Sequence, residues 1–151
     1  MALDPSLSEA VIRRSIRKYF VDTFYTGLSI EIFFDKIGRV PEVLDVEIDR
    51  WISVQFDTLN PETMASGFIQ LWLFTRRDTD FTELALLRDI VFEHLIDLTQ
   101  TDGTKRIALY DASWNIVGWV LLQPQTEWGP EEVEDGTNAK VLPITIRWGC
   151  K

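Results

Sequence analysis

The chain has 151 residues and a mass of 17.5 kDa, with 46% apolar residues and a mean hydropathy of -0.02; that suits one globular domain burying its own core and excludes a disordered chain. Acidic residues outnumber basic ones 24 to 15, for a net charge of -9 and a pI near 4.6. Such a surface repels phosphate backbones, which excludes ordinary tight nucleic-acid binding but not a protein that lets DNA pass without gripping it.

Taken in order, Ser6-Leu-Ser-Glu9 reads as a capping box behind Pro5 and opens a helix to about Val21. Ile12, Ile16, Tyr19 and Phe20 make its apolar stripe, and Arg13, Arg14, Arg17 and Lys18 crowd the other side. That basic side is either a solvated helix face or a contact for an acidic partner. The N-terminus lacks the basic and apolar regions of a signal peptide, and no apolar run approaches the roughly 20 residues of a membrane span, so cytosolic synthesis is expected.

Leu28 to Phe34 alternates, with Leu28, Ile30, Ile32 and Phe34 inward, as a half-buried strand does. Glu42 to Asp49 fits either an extended arm or an irregular loop. Trp51 to Phe56 alternates again, with Ile52, Val54 and Phe56 on one face, and Asn60-Pro61 breaks the chain. Met64 to Arg77 then reads as a long strand. Ile69, Leu71 and Leu73 share one face, and Phe68, Trp72 and Phe74 share the other, so it is expected at the centre of a sheet covered on both sides.

After the turn Asp78-Thr-Asp80, a helix is predicted from Phe81 to about Leu98. Leu84, Leu87, Val91, Leu95 and Leu98 recur at helical spacing, and Asp80 with Glu83 looks like its capping box. Lys105 to Tyr110 and Ile116 to Gln123 flank Ala112-Ser-Trp-Asn115 as a hairpin. Pro124 to Lys140 reads as a long acidic loop around Trp128, with Glu127, Glu131, Glu132, Glu134 and Asp135. Val141 to Trp148 closes the fold as a strand, and Pro143 predicts an edge position for it. With no internal repeat and no linker, the expectation is a single α+β domain over residues 1–151. It has a mixed, mainly antiparallel sheet with an N-terminal helix and one long amphipathic helix packed on it.

Chemistry is sparse. Cys150 is the only cysteine, so no intrachain disulfide or multi-cysteine metal site can form. His94 is the only histidine, and a helix histidine held by a neighbour is the simpler reading than metal ligation. Asp78-Thr-Asp80 has the spacing of a divalent-metal site, but a position just before a helix makes capping the cheaper explanation. Neither phosphate-binding glycine motif is present. Of the six tryptophans, Trp128 in the acidic loop and Trp114 in a turn are the best candidates for exposed interface anchors.

The order of elements, together with certain stretches, resembles the tail terminator (tail-completion) proteins of long-tailed bacteriophages. The stretches are Trp51-Ile-Ser-Val-Gln-Phe56, Ser66-Gly-Phe-Ile-Gln-Leu-Trp-Leu-Phe74, the helix with Leu84, Leu87-Arg-Asp89 and Leu95, and the last strand Leu142-Pro-Ile-Thr-Ile-Arg-Trp148. The resemblance implies a virion structural protein without catalysis or cofactor, assembled in the host cytoplasm. Six copies would form a ring that stops tail-tube growth, touches the tube and the head or neck proteins, and lets DNA through an acidic lumen. A head–tail connector or neck protein is the near alternative. From other classes come a small metal-dependent enzyme using Asp78 and Asp80, and a small-ligand-binding α+β domain.

A head-to-tail ring joins two different surfaces of the subunit. On this sequence those surfaces are expected to be the basic helix (Arg13, Arg14, Arg17, Lys18) of one copy and the acidic segment (Glu131, Glu132, Glu134) of its neighbour, with Trp128 as the apolar anchor.

Overall fold

The computed structural model describes residues 8–35, 49–60, 66–134 and 136–150. Helix α1 spans Glu9–Phe20 and is capped by Ser8, whose hydroxyl accepts from the Val11 N–H at 3.3 Å. Ser6, the expected cap, lies outside the described residues. The helix does not stop at Val21. It widens into a π-helical segment, Val21–Thr26, which buries Phe24 in a stack with Phe20, ring centroids 5.7 Å apart. This extension displaces the start of the predicted first strand. Leu28 is exposed, Ser29 takes a left-handed φ of 56°, and strand β1 is only Glu31–Phe34.

Strands β2 (Arg50–Asn60) and β3 (Ser66–Arg76) follow, antiparallel to each other, with β1 parallel to β2. Helix α2 covers Thr82–Glu93. Beyond it come β4 (Lys105–Tyr110), β5 (Ile116–Pro124), β6 (Trp128–Glu134) and β7 (Thr137–Cys150). The seven strands form one mixed, mostly antiparallel sheet in the order β1-β2-β3-β7-β5-β4, with β6 also paired to β7.

One face of the sheet carries both helices. Ile69, Leu71 and Leu73 of β3, Leu142, Ile144 and Ile146 of β7, and Val120 and Leu122 of β5 meet Ile12, Ile16 and Phe20 of α1 and Leu84, Leu87 and Val91 of α2 in one buried core. On the far face, Trp51 and Phe74 stack at 5.3 Å beside Ala139, and Trp72 packs against them. β3 is therefore apolar on both faces and central, as its two alternating sets predict.

Three expectations are corrected. Helix α2 is shorter than predicted, ending at Glu93. The His94 and Leu95 N–H groups reach back only three residues, to the carbonyls of Val91 and Phe92, and tighten the last turn. Asp97 then takes the Thr99 N–H and hydroxyl into a local turn, an alternative to continuing the helix. Leu95 stays buried, but Leu98 is 86% exposed.

Pro124 to Lys140 is not a loop. Its middle is strand β6, which continues the line of β5 along β7. From Pro124 to Trp128 the chain advances four positions while the partners on β7 move three, from Ile144 to Val141. One extra residue at this point is a bulge. The two strands thus make a long ribbon with β7, closed at Gly136, whose φ of 75° suits glycine.

β7 is not at the edge, since β3 flanks it along one side and β5 then β6 along the other. Pro143 is tolerated there because of the bulge. Its carbonyl accepts from the Gln125 N–H at 2.8 Å, so its missing N–H falls on the same side, in the gap where β5 gives way to β6.

Candidate subunit interface

The basic side of α1 is largely engaged within its own chain. Arg13 donates to Glu9 and to Asp35, each at 3.0 Å, and its guanidinium lies 4.5 Å from the Phe56 ring centre. Arg17 sits over Phe34 at 5.0 Å. Lys18 donates to Asp22 at 2.6 Å and faces the rings of Tyr110 and Trp114. Arg14 adds favourable charge near Asp111, whose carboxyl is held below its usual range first by the Asn115 N–H and also by the Ser113 N–H. These contacts fasten the helix to β1, β2 and the β4–β5 turn. Reversing Arg13 and Arg17 to glutamate is therefore expected to lower the melting temperature, a loss readable in a dilute thermal melt.

The acidic group lies elsewhere. Trp128 is 54% exposed at the start of β6, and Glu131 and Glu132 project from the same strand. Glu134 belongs to β6 by its backbone, while Asp135 is outside the described residues. Among the described residues, neither Glu131 nor Glu132 has an ion-pair partner, and no ion pair joins α1 to β6. The two groups are thus separate surfaces. Trp114, the other tryptophan singled out, is 53% exposed at the β4–β5 turn, where its ring meets Tyr110 edge-on.

β6 is anchored by a network of three residues from distant segments. At the bulge, Glu127 accepts from Arg88 Nε of α2 at 2.6 Å through one oxygen, and from Lys140 Nζ of β7 at 3.1 Å through the other. Arg88 also lies over the Phe92 ring at 4.2 Å. Burial alone would raise the Glu127 carboxyl; the Arg88 and Lys140 bonds together bring it below the usual glutamate range.

A group depressed on folding stabilises above its unfolded pKa, about 4.3 for glutamate, and that contribution is lost as pH falls through the folded value. Glu127→Gln should therefore lower stability by ~1 kcal/mol at neutral pH, a partly exposed pair being worth little more. The gap between wild type and variant should close on acidification below about pH 4. Parallel melts of both proteins across that range would test it.

Asp78 and Asp80 are both occupied with the start of α2. Asp78 is only 8% exposed, and its carboxylate accepts from the Glu83 N–H at 3.2 Å, the Leu84 N–H at 2.9 Å and the Thr75 hydroxyl at 3.1 Å. Its backbone carbonyl accepts from the Asn138 amide at 2.6 Å. Asp80 accepts from the Thr82 N–H, at 3.1 Å. The main cap is thus Asp78 rather than Asp80, because Phe81 stands at the cap position with a left-handed φ of 64° and no side-chain bond. Among the described residues, no group of three or more His, Cys, Asp and Glu side chains is placed to hold a metal ion. His94 is wrapped by neighbours: Phe24 meets its ring edge-on at 5.5 Å, and its carbonyl accepts from the Tyr19 hydroxyl.

No helix among the described residues is long and apolar enough to cross a membrane. No protein-family model matches the chain, and no curated protein matches it. The fold does have a solved counterpart: one structure aligns with 94% of this chain and 96% of its own at a TM-score of 0.57, with 9% of residues identical. At that identity the likeness is one of fold alone.

Proposed function

We propose that this chain is a non-enzymatic virion structural protein of the tail-terminator kind, whose copies join head to tail in a six-membered ring that caps a phage tail tube and meets the head or neck. The observation that carries the reading is strand β6. Among the described residues it pairs only with β7, and it presents half-exposed Trp128 beside Glu131 and Glu132, which have no ion-pair partner there, on a base held by Arg88, Glu127 and Lys140. A rigid aromatic anchor ringed by charge is what a specific interface needs. A mixed sheet with helices on one face also agrees with the subunit architecture that the resemblance implies. The net charge of -9 suits a lumen through which DNA slides.

Light scattering on size-exclusion fractions, across protein concentration and salt, tests the proposal. The expected species has about six times the 17.5 kDa subunit mass and dissociates as salt rises, because exposed charge pairs are screened. Trp128→Ala should weaken assembly more than Glu131→Gln. A protein that stays at subunit mass up to its solubility limit in low salt would sink the reading.

A further inference from the structure

The sheet face turned away from the helices holds a polar groove with two arginines in its lining. Arg106 of β4, Leu121 of β5 and Arg147 of β7 stand in one cross-strand row, since Arg106 pairs with Leu121 and Leu121 with Arg147. They line an open groove of about 570 Å³, together with Thr104, Gln123 and Thr145. Both arginines are exposed, and neither has an ion-pair partner among the described residues. Arg106 lies 5.5 Å from the ring centre of Trp119, which is itself 36% exposed. Asp97 and Asp102 also line it, their carboxylates accepting from the N–H groups of Thr99 and Thr104.

The acidic strand lies on the same face. Trp128 pairs with Val141 and Glu131 with Ala139, and residues 139, 141 and 147 of β7 share one side of the sheet. Arg147 and Val141 are six positions apart on one continuous strand, which sets the two ends of the face ~20 Å apart. That strand is rigidly paired along its length, so the acidic and basic ends of one subunit cannot close on each other. A second copy has no such restriction.

We infer that the Arg106–Arg147 groove is the socket for the β6 strand of a neighbouring copy, with Glu131 meeting the two guanidiniums and Trp128 packing against the Leu121–Trp119 side. This rests on the assembly proposed above and names its contact. It takes the place of the basic side of α1, whose Arg13 and Lys18 are hydrogen-bonded to Glu9, Asp35 and Asp22 of the same subunit, as the partner of the acidic strand. Guanidinium suits the role because its planar fork matches a carboxylate in a way a lysine does not. The contact joins unlike patches, so it is head to tail and can propagate around a ring.

The test uses two full-length variants, Arg106→Glu/Arg147→Glu and Glu131→Arg, made at exposed positions and checked for unchanged melting in dilute solution. Each alone sets like charges against each other and should need ~10-fold or more higher concentration to assemble, the change expected for a loss near 1.4 kcal/mol. Mixed in equal amounts they should assemble again, because every contact in an alternating ring then joins opposite charges. Wild-type rings together with unimpaired Arg106→Glu/Arg147→Glu rings, or a mixture that stays dissociated, would overturn this contact while leaving the assembly reading intact. A wild-type protein that never assembles would overturn both.

Discussion

Asp78→Ala should destabilise the protein by about 2–4 kcal/mol, combining a lost helix cap of ~0.5–2 kcal/mol with the cost of buried donors left without an acceptor. The Thr75 hydroxyl and the Leu84 N–H would lose their acceptor where water scarcely reaches, both residues being 1% exposed. The first turn of α2 would lose both of its Asp78-held N–H groups together. Asp78→Asn should retain part of the stability, since an amide oxygen still accepts but without charge. Asp80→Ala should cost less than either, because its carboxylate is exposed and caps one N–H. Denaturant melts of the three variants would rank them, and a larger loss for Asp80→Ala than for Asp78→Ala would refute this assignment of the cap.

Leu87→Ala should cost about 3–5 kcal/mol, the range for removing a fully buried leucine and leaving a cavity. Leu87 is completely buried, in the cluster with Ile69, Leu71 and Leu73 under α2. Leu98→Ala is the informative partner. Periodicity places Leu98 on the same stripe, yet it is 86% exposed after the helix has ended. That substitution should therefore change stability by less than ~0.5 kcal/mol. Equal losses for the two leucines would restore the longer helix.

What could be read from the sequence follows from what each element rests on. Strands β2, β3, β4 and β5 were legible because their alternation is set by burial on the helical face. The stripe of α2 was legible for the same reason, whereas its end was decided by Asp97 and local turns that apolar spacing does not register. β6 was misread as loop because its glycine, proline and glutamates have weak strand preference. Only the template of β7 draws it out. Pro143 signalled an edge, and a gap beside it explains why an interior strand accepts it.

The candidate interface was half legible. Trp128 and the glutamates stood out as a cluster along the chain, and the arginines of α1 looked available because their partners Asp35, Phe34 and Phe56 are remote in sequence. Arg106 and Arg147 were missed. Each occupies the polar phase of a strand whose other phase faces the core. That signal shows them to share a surface only once β4, β5 and β7 are known to be neighbours. The Arg88, Glu127 and Lys140 network likewise draws on three segments that no local pattern links.

An open strand edge invites indiscriminate addition by other extended chains, the first step toward aggregation. β6 resists this by its composition. Pro130 offers no N–H, the register against β7 shifts twice, and two β6 edges brought together would set Glu131 and Glu132 against their own kind. Glu131, which would select a cationic socket, thus acts with Glu132 to keep free subunits from sticking to one another at the concentrations reached before assembly. That protection depends on ionisation, so precipitation should set in as the pH approaches the pI near 4.6.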